Sequence, residues 1–318
     1  MSDIATQHRT GSTAATAEAL NVPLVIDLDG CLIRSDLLLE TALAYLSPNP
    51  LRMFQLFGWA LKGRANLKRQ LAHAAGLDLQ LIPVNDDVVA FAESAKASGR
   101  QVYLATAADE LLAIKIGTRF DFLDGVIASD GTRNLKGRHK CEELRARFPH
   151  GFDYVGDGNA DLPIWQEARK VIVVEPNGGL RRAVGALKKP TETLERPQPE
   201  WEALLKACRL HQWAKNTLVF VPALLSGQIA DPPVLLACTL AFFALGLVAS
   251  GTYLVNDLLD LSHDRRHPSK RQRPLASGEL SMHSAIIAVP ALIGGGLAVG
   301  ALLSLYAALA LLTYLGLT

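Results

Sequence analysis

Two pairs of aspartates in the first half of the chain follow short apolar segments. Asp27 and Asp29 lie in "VIDLDGCLI", and Asp157 and Asp161 lie in "YVGDGNADLPIW". Two carboxylates at the Asp27–Asp29 spacing can divide the work of phosphoryl transfer, because one can attack phosphorus while the other transfers a proton. A cluster of carboxylates also needs a cation, and Mg2+ prefers oxygen ligands. The pattern therefore predicts a phosphoryl-transfer site that holds Mg2+.

The segments between these motifs predict the elements that position them. Short apolar runs alternate with helical spacing from about residue 22 to 175, which favours a doubly wound α/β domain with a mainly parallel sheet. The predicted strands are "VPLVID", "QVYLAT", "DGVIAS", "FDYVGD" and "KVIVVE". Thr106 ends the second of these strands, and Lys136 lies in "NLKGRHK" after the third. Because ligands bind beyond the carboxyl ends of such strands, we expect these polar groups to meet at one edge of the sheet.

A second acidic cluster lies in the last third of the chain, where "NDLLDLSHD" contains Asn256, Asp257, Asp260 and Asp264. On a helix, aspartates at i, i+3 and i+7 share one face. Such like charges repel unless divalent cations lie between them, and a diphosphate bound to those cations completes the charge balance. The basic residues that could close over the phosphates are Lys270, Arg271 and Arg273.

The second half of the chain predicts a membrane domain. Its apolar runs are Thr217–Leu225 with its flanks, Pro233–Val255, and Ser284 to the last residue. At about 1.5 Å per residue, the second run can cross a hydrocarbon core about 30 Å thick. The third run is too long for one span, and we expect it to turn at Gly294–Gly296 or Gly300. Since Thr318 falls inside that apolar run, we expect this chain to be a truncated piece of a longer membrane protein.

Charge indicates the orientation and restricts the partners. Lys and Arg residues precede the first apolar run and follow the second, whereas the loop "SGQIADPP" between them has none. By the positive-inside rule, the α/β domain then faces the cytoplasm. A net charge of +1 over 318 residues argues against nucleic acid as a partner. The four cysteines lack CxxC spacing, which argues against a zinc site or a disulfide framework.

The predicted domain organisation has a tail, two domains and a linker. Residues 1–20 are small and polar and are predicted to be a disordered tail, 21–185 the α/β domain, 186–204 a Pro- and charge-rich linker, and 205–318 the N-terminal part of the membrane domain. A mostly helical insert, about 36–98, is predicted to form a cap over the active edge of the sheet. Its apolar and basic segment "LRMFQLFGWALKGRANLKRQLAHAAG" leaves a membrane-surface contact open as well.

The first set of motifs resembles the haloacid dehalogenase (HAD) superfamily of phosphatases over about residues 22–190. DxDG, a Thr after an apolar strand, a Lys and GDGxxD occur in that order. The roles implied by the resemblance are Asp27 as nucleophile, Asp29 as general acid/base, Thr106 and Lys136 as phosphate ligands, and Asp27, Asp29, Asp157 and Asp161 as Mg2+ ligands. Lys140 is a rival to Lys136, although "NLKG" matches the pattern better. P-type ATPases share GDGxxD but need DKTGT at the nucleophile. This chain has DLDGC there, which argues against that class.

The second set, NDxxDxxxD followed by "KRQRPLASG", resembles the UbiA superfamily of intramembrane prenyltransferases over about 205–318. Members carry a second Asp-rich motif in a later loop, and its absence here fits a truncated chain. The implied ligands are Asn256, Asp257, Asp260 and Asp264 for Mg2+-diphosphate, and Lys270, Arg271 and Arg273 for the phosphates. "RLHQWAKN" resembles the decaprenyl-phosphate phosphoribosyltransferase-like branch, with Leu210 in place of a common Pro. In this segment Arg209 and Lys215 are phosphate-binding candidates.

The two resemblances together imply a multi-pass enzyme of the bacterial inner (plasma) membrane. Its membrane domain would be a transferase that uses phosphoribosyl diphosphate as donor and a polyprenyl phosphate lipid as acceptor. Its cytoplasmic HAD domain would be a phosphomonoesterase. The alternative is an aromatic prenyltransferase of quinone synthesis, which would use a polyprenyl diphosphate and carry a non-catalytic, regulatory HAD module.

Overall fold

The computed structural model of this protein describes residues 22–196 and 199–317. These residues form two compact units, one on either side of the gap between them. The predicted tail, residues 1–20, lies outside the described residues. The first unit is built on a sheet and the second is helical.

The first unit contains a six-stranded sheet in which all neighbouring strands are parallel. The strands are β1 Leu24–Ile26, β2 Val102–Asp109, β3 Gly125–Ser129, β4 Asp153–Gly156, β5 Val171–Val174 and β6 Thr191–Leu194. Their order is β3-β2-β1-β4-β5-β6, so the chain builds the sheet outward from β1 to β3 and then returns to the other side of β1 with β4. This confirms the predicted doubly wound α/β fold, with helices on both faces.

The central strand β1 shows how the sequence produces these layers. Its three residues are fully buried. Leu24 and Ile26 belong to one apolar cluster, whereas Val25 belongs to another. Successive side chains of a strand point to opposite faces, so a short run that is apolar at every position must be covered on both sides.

Helices connect the strands of this unit. They are α1 Leu37–Leu46, α2 Met53–Leu61, α3 Arg64–Ala74, α4 Asp86–Ala97, α5 Glu110–Gly117, α6 Arg138–Arg147, α7 Leu162–Glu167 and α8 Gly178–Gly185. The first four form the predicted helical insert between β1 and β2. Asp36 caps α1 by accepting a hydrogen bond from the Leu39 backbone N–H at 2.9 Å. A separate apolar cluster centred on Tyr45, Leu71 and Ala75 holds α1, α2 and α3 together.

The sixth strand was not predicted, because residues 191–194 fall inside the proposed 186–204 linker. β6 pairs with β5 from Val171–Thr191 to Val174–Leu194. The segment "TETL" is polar and follows a Pro, which is typical of a linker. At the edge of a sheet a strand needs hydrogen bonds on one side only, so a half-exposed polar segment can still pair there.

The second unit consists of helices and 3-10 segments. A 3-10 segment covers Leu210–Phe220, and the helices are α9 Glu200–Ala207, α10 Val221–Leu225, α11 Pro232–Leu259, α12 Leu261–Arg266, α13 Pro274–Ser277, α14 Met282–Leu303 and α15 Leu305–Leu317. Among the described residues, α11 and α14 are long and apolar enough to cross a membrane. The first predicted apolar run forms the 3-10 segment and the short α10 rather than a membrane-length helix.

The last apolar run breaks at Ser304 and not at the predicted glycines. Ser304 has an extended backbone (φ −171°, ψ 159°), and its Oγ accepts a hydrogen bond from the Ala307 N–H at 3.0 Å. α14 continues through Gly294 and Gly296 instead. A Cβ at Gly296 would lie 2.7 Å from the Ala244 carbonyl oxygen of α11. Gly296 therefore serves the close approach of two helices rather than a turn.

Candidate active sites

The first site lies in the loop that follows β1. The Asp27 N–H donates to the Val155 carbonyl oxygen at 2.9 Å, which ties the loop to β4. The Asp29 Oδ1 accepts from the Leu37 N–H at 2.9 Å, at the start of α1. Gly30 between them and α1 has φ +72°, and a Cβ there would lie 2.1 Å from Asp157 Oδ2. Glycine is therefore required for the two acidic loops to approach each other.

The loop after β4 brings two further carboxylates to Asp27. Carboxylate oxygens of Asp27, Asp157 and Asp161 lie within 4.8 Å of one another. The Asp161 Oδ2 accepts from the backbone N–H groups of Gly158 at 3.2 Å and of Asp157 at 3.3 Å, so it also holds the loop in shape. The carboxylate of Asp29, which was also predicted to be a ligand, is not part of this group.

The electrostatics of this cluster favour a bound cation. Burial first, and then the like charge of Asp27, raise the pKa of Asp157 well above its ordinary range. The same two causes raise the pKa of Asp161 to about 6. Crowded carboxylates with raised pKa values bind a hard divalent cation readily, because the ion removes the repulsion between them. Asp27, Asp157 and Asp161 thus form a donor set that fits Mg2+.

The lysine that contacts the nucleophile candidate is Lys140, not Lys136. The Lys140 Nζ lies 2.9 Å from Asp27 Oδ1, and its side chain is 4% exposed. Burial opposes its charge, but Asp27 and Asp161 outweigh burial and raise the pKa of Lys140. Lys136 is exposed. Gly137, at φ +58°, turns the chain into α6, and the first turn of that helix carries Lys140 inward. The sequence motif could not show this turn.

Tyr154 joins the lysine to the cluster. Its hydroxyl accepts a hydrogen bond from Lys140 Nζ at 3.0 Å and donates one to Asp161 Oδ1 at 3.0 Å. Tyr154 was not predicted as a site residue, because a tyrosine inside an apolar strand is usually a core residue. Thr106 is fully buried on β2, where its Oγ1 accepts from the Ala108 N–H at 2.9 Å. It lies next to β1 at the carboxyl-terminal side, since Leu104 pairs with Ile26.

The insert supplies one more charged group, Lys68 of α3. The Lys68 Nζ donates to the Ala107 carbonyl oxygen at 2.5 Å and to Asn134 Oδ1 at 3.0 Å. Burial lowers the pKa of Lys68, while the charges of Asp29 and Asp36 oppose that shift. The pKa of Asp29 is raised to about 7, first by burial and then by Asp36. No signal in the sequence set Lys68 apart from the other basic residues of the insert, because its position depends on how the helices pack.

The second site lies where α11 ends. Asp257 and Asp264 are buried, and one arginine joins them: Arg273 Nη1 lies 3.0 Å from Asp257 Oδ1 and 2.6 Å from Asp264 Oδ2. The Arg209 Nη2 donates to Asp257 Oδ1 at 2.5 Å. The Arg209 guanidinium also stacks on the Tyr253 ring, 4.9 Å from its centroid. Two buried carboxylates and two arginines thus form a compact charged cluster.

The prediction that all three aspartates share one helical face is wrong. The helix breaks at Asp260, which ends α11 and precedes α12 with φ −90° and ψ 6°. Asp260 is therefore exposed, Asn256 is exposed on α11 itself, and Asp257 and Asp264 are buried. Residues seven positions apart share one helical face only if the helix continues between them. Here the turn at Asp260 brings Asp257 and Asp264 together instead.

Of the basic residues predicted to bind phosphate, some lie close to the buried aspartates and others are exposed. Lys270 Nζ lies 3.7 Å from Asp264 Oδ1, and within the described part of the chain that oxygen has no hydrogen-bond donor. Arg271 and Lys215 are exposed. Trp213, two residues before Lys215, donates to Ser250 Oγ at 3.1 Å, and a Cβ at Gly246 would meet its ring at 2.6 Å. Trp213 is therefore a packing residue of the unit.

The folds and sites define a two-part chain. The first unit is a parallel α/β domain with acidic loops beyond the carboxyl ends of its strands. The second is a helical domain with two membrane-length helices and a buried Asp–Arg cluster. Residues 217–318 match the model of the UbiA prenyltransferase family, an integral membrane family. The C-terminal part of the chain is therefore similar to UbiA domains.

Three curated relatives are similar to this chain. Protein y4nM of Sinorhizobium fredii is 37% identical over 302 residues, which are 93% of this chain and 58% of the relative. Nodulation protein NoeC of Azorhizobium caulinodans is 51% identical over 90 residues, 26% of this chain and 28% of that protein. Decaprenyl-phosphate phosphoribosyltransferase of Mycobacterium tuberculosis is 44% identical over 79 residues, 24% of this chain and 26% of the enzyme. The chain thus spans less than two thirds of these relatives.

Among solved structures, a phosphoserine phosphatase captured as a phospho-aspartyl intermediate analogue is similar to this chain. It is 17% identical with a TM-score of 0.40, over 55% of this chain and 94% of that one.

Proposed function

We propose that the protein combines a membrane transferase with a phosphomonoesterase. The UbiA unit would transfer a group from a Mg2+-bound diphosphate donor to a polyprenyl lipid, and the donor–acceptor pair would be phosphoribosyl diphosphate and a polyprenyl phosphate. The HAD-like unit would remove a phosphate. The observation that carries the phosphatase part is the contact of Lys140 with Asp27 inside the Asp27–Asp157–Asp161 cluster.

The residues of the first site can perform phosphoester hydrolysis in two steps. In the first, an Asp27 oxygen bonds to phosphorus, the bond from phosphorus to the leaving oxygen breaks, and Asp29 gives that oxygen its proton. In the second, water attacks the aspartyl phosphate, Asp29 accepts the water proton, and phosphate leaves with Asp27 regenerated. Lys140 holds Asp27 in place and offsets negative charge throughout. A divalent cation bound by Asp27, Asp157 and Asp161 would stabilise charge on the phosphoryl oxygens.

The second site contains groups suited to a diphosphate and its cation. The Asp264 Oδ1 is buried, accepts no hydrogen bond from the described residues and lies 3.7 Å from Lys270 Nζ, so it is suited to coordinate a cation. Arg273 and Arg209 offer donors that match phosphate oxygens. In the structure these arginines pair with Asp257 and Asp264. We infer that a Mg2+-diphosphate would replace these internal pairs, the cation going to the carboxylates and the phosphates to the arginines.

The phosphoribosyl assignment rests on similarity to one named enzyme. The relative from M. tuberculosis is called a decaprenyl-phosphate phosphoribosyltransferase, and the similarity is 44% over a quarter of this chain. Prenyl transfer to an aromatic ring remains the alternative, because its donor also presents a Mg2+-bound diphosphate. The basic residues around α11 support a bacterial inner-membrane location with the phosphatase unit in the cytoplasm.

Transfer of label from the donor into lipid tests the proposal. Membranes containing the protein and Mg2+ receive labelled phosphoribosyl diphosphate and a polyprenyl phosphate. We expect label in the lipid phase, and we expect Asp257→Asn to abolish it. Lys215→Ala is the matched control, since Lys215 is exposed, and it should retain most of the activity. Turnover of a polyprenyl diphosphate with an aromatic acceptor, without label from the ribosyl donor, would establish the alternative.

A further inference from the structure

The insert of the first unit exposes an apolar surface formed by α2 and the turn before it. The exposed fractions are 71% for Leu51, 57% for Met53, 72% for Phe54, 66% for Phe57 and 74% for Leu61. Isolated apolar residues on a surface are ordinary, whereas a contiguous patch marks an interaction site. We call these five residues the α2 patch.

The α2 patch is a face of the helix and not the result of loose packing. Met53, Phe57 and Leu61 recur every four positions and therefore share one stripe, with Phe54 beside it. The opposite face is packed, since Leu56 and Trp59 contact the cluster of Tyr45 and Leu71. The Trp59 and Tyr45 rings lie 5.2 Å apart. The helix is thus fixed to the unit by one apolar face while it presents another.

The charged residues of the segment that carries the patch are of one sign. No Asp or Glu occurs between Glu40 and Asp78. Lys62 and Arg64 are exposed directly after the patch. Lys68 and Arg69, further along, turn back to the unit, where Arg69 Nε lies 3.1 Å from Asp109 Oδ2. The exposed surface is therefore apolar and basic, without acidic residues of its own segment.

This combination favours an anionic lipid surface over a protein partner. Aromatic and aliphatic side chains can enter the boundary between head groups and acyl chains, while Lys and Arg contact lipid phosphates. A second copy packed on this face would oppose like charges. A bilayer is also provided by the chain itself, through α11 and α14.

We propose that the α2 patch inserts into the interfacial layer of an anionic bilayer, with Lys62 and Arg64 at the phosphates. This contact is additional to the two membrane-length helices and independent of the proposed reactions. It holds the insert, and with it Lys68 beside the acidic site, at the membrane surface.

Photo-crosslinking in the intact protein tests this contact. Phe57 is replaced by p-benzoylphenylalanine, and the protein is reconstituted at one copy per nanodisc containing labelled phosphatidylglycerol. The matched control carries the same photoreactive residue at Ile114, which is 56% exposed on α5. We expect a lipid adduct several-fold stronger at position 57 than at 114, and we expect it to weaken in discs of phosphatidylcholine alone or after Phe54→Ser.

Three results would overturn the proposal. The first is equal lipid labelling at positions 57 and 114. The second is an adduct from position 57 to the C-terminal unit of the same chain, found by peptide mapping. The third is an adduct to another copy of the protein that appears only in discs holding two copies. Both replaced positions are exposed, so neither variant disturbs the packed core.

Discussion

The choice between Lys136 and Lys140 shows what single residues contribute to the first site. Both follow β3 and both are basic, but only Lys140 reaches Asp27. Lys140 is also buried, so it stabilises a charge that would otherwise lie unpaired in a low-dielectric setting. Its ammonium can offset negative charge as the phosphoryl group is transferred.

We therefore expect Lys140→Ala to lower the phosphatase kcat by about 10²–10³-fold, as the loss of one charge-stabilising donor does in other enzymes. Lys136→Ala should change it less than severalfold, because that side chain is exposed. Both variants are assayed with a general phosphomonoester in the intact protein, after circular dichroism confirms the fold. A large loss in Lys136→Ala with normal turnover in Lys140→Ala would restore the assignment made from the motif.

Much of this site could be predicted from the residues alone. The two acidic pairs follow apolar strands, and parallel packing brings Asp27, Asp157 and Asp161 together, without the Asp29 that was also expected in the group. Tyr154 and Lys68 could not be predicted. Their roles depend on a hydroxyl that points out of a strand and on the packing of an inserted helix. Neither feature is visible in the sequence pattern, whereas a carboxylate that directly follows an apolar strand is.

At the scale of elements, the helical unit is organised by small residues where helices approach each other. Gly296 of α14 faces Ala244 and Val248 of α11, whereas Gly294 has nothing near its Cβ position. The sequence marks both as glycines in one "GGG" run, so their different roles could not be predicted. Likewise the break at Ser304 depends on a local hydrogen bond that caps α15, and hydropathy alone does not show it.

These two glycines offer a matched test of helix packing. Gly296→Ala would place a methyl 2.6 Å from Val248 Cγ2 and 2.7 Å from the Ala244 carbonyl oxygen. Overpacking of this kind costs about 1–3 kcal/mol, so we expect a lower unfolding temperature for the purified protein in detergent. Gly294→Ala should leave that temperature unchanged or raise it slightly, since alanine favours a helix. Equal midpoints for both variants would show that α11 and α14 do not pack closely here.

At the scale of the whole molecule, one chain carries two sites that both suit phosphorylated substrates and divalent cations. The proposed transferase reaction would attach a ribosyl group that still bears a phosphate monoester, which is the kind of bond that the first site can cleave. The first unit would then act after the second unit on the same lipid. The proposed contact of the α2 patch with the bilayer would keep the phosphatase at the surface where that product appears.

If the two units act in this order on the same lipid, two substitutions should have opposite effects on the lipid product. Asp257→Asn should prevent labelled ribosyl groups from entering the lipid. Asp27→Asn should leave that entry intact but keep the phosphate on the product, because the nucleophile is lost while the amide still fits beside Lys140. Thin-layer chromatography of the lipid fraction, with ³²P on the ribosyl 5-phosphate, separates the two outcomes. In the unmodified protein the label should pass from lipid to inorganic phosphate. If Asp27→Asn releases phosphate as fast as the unmodified protein, the first unit does not act on this lipid and serves another role.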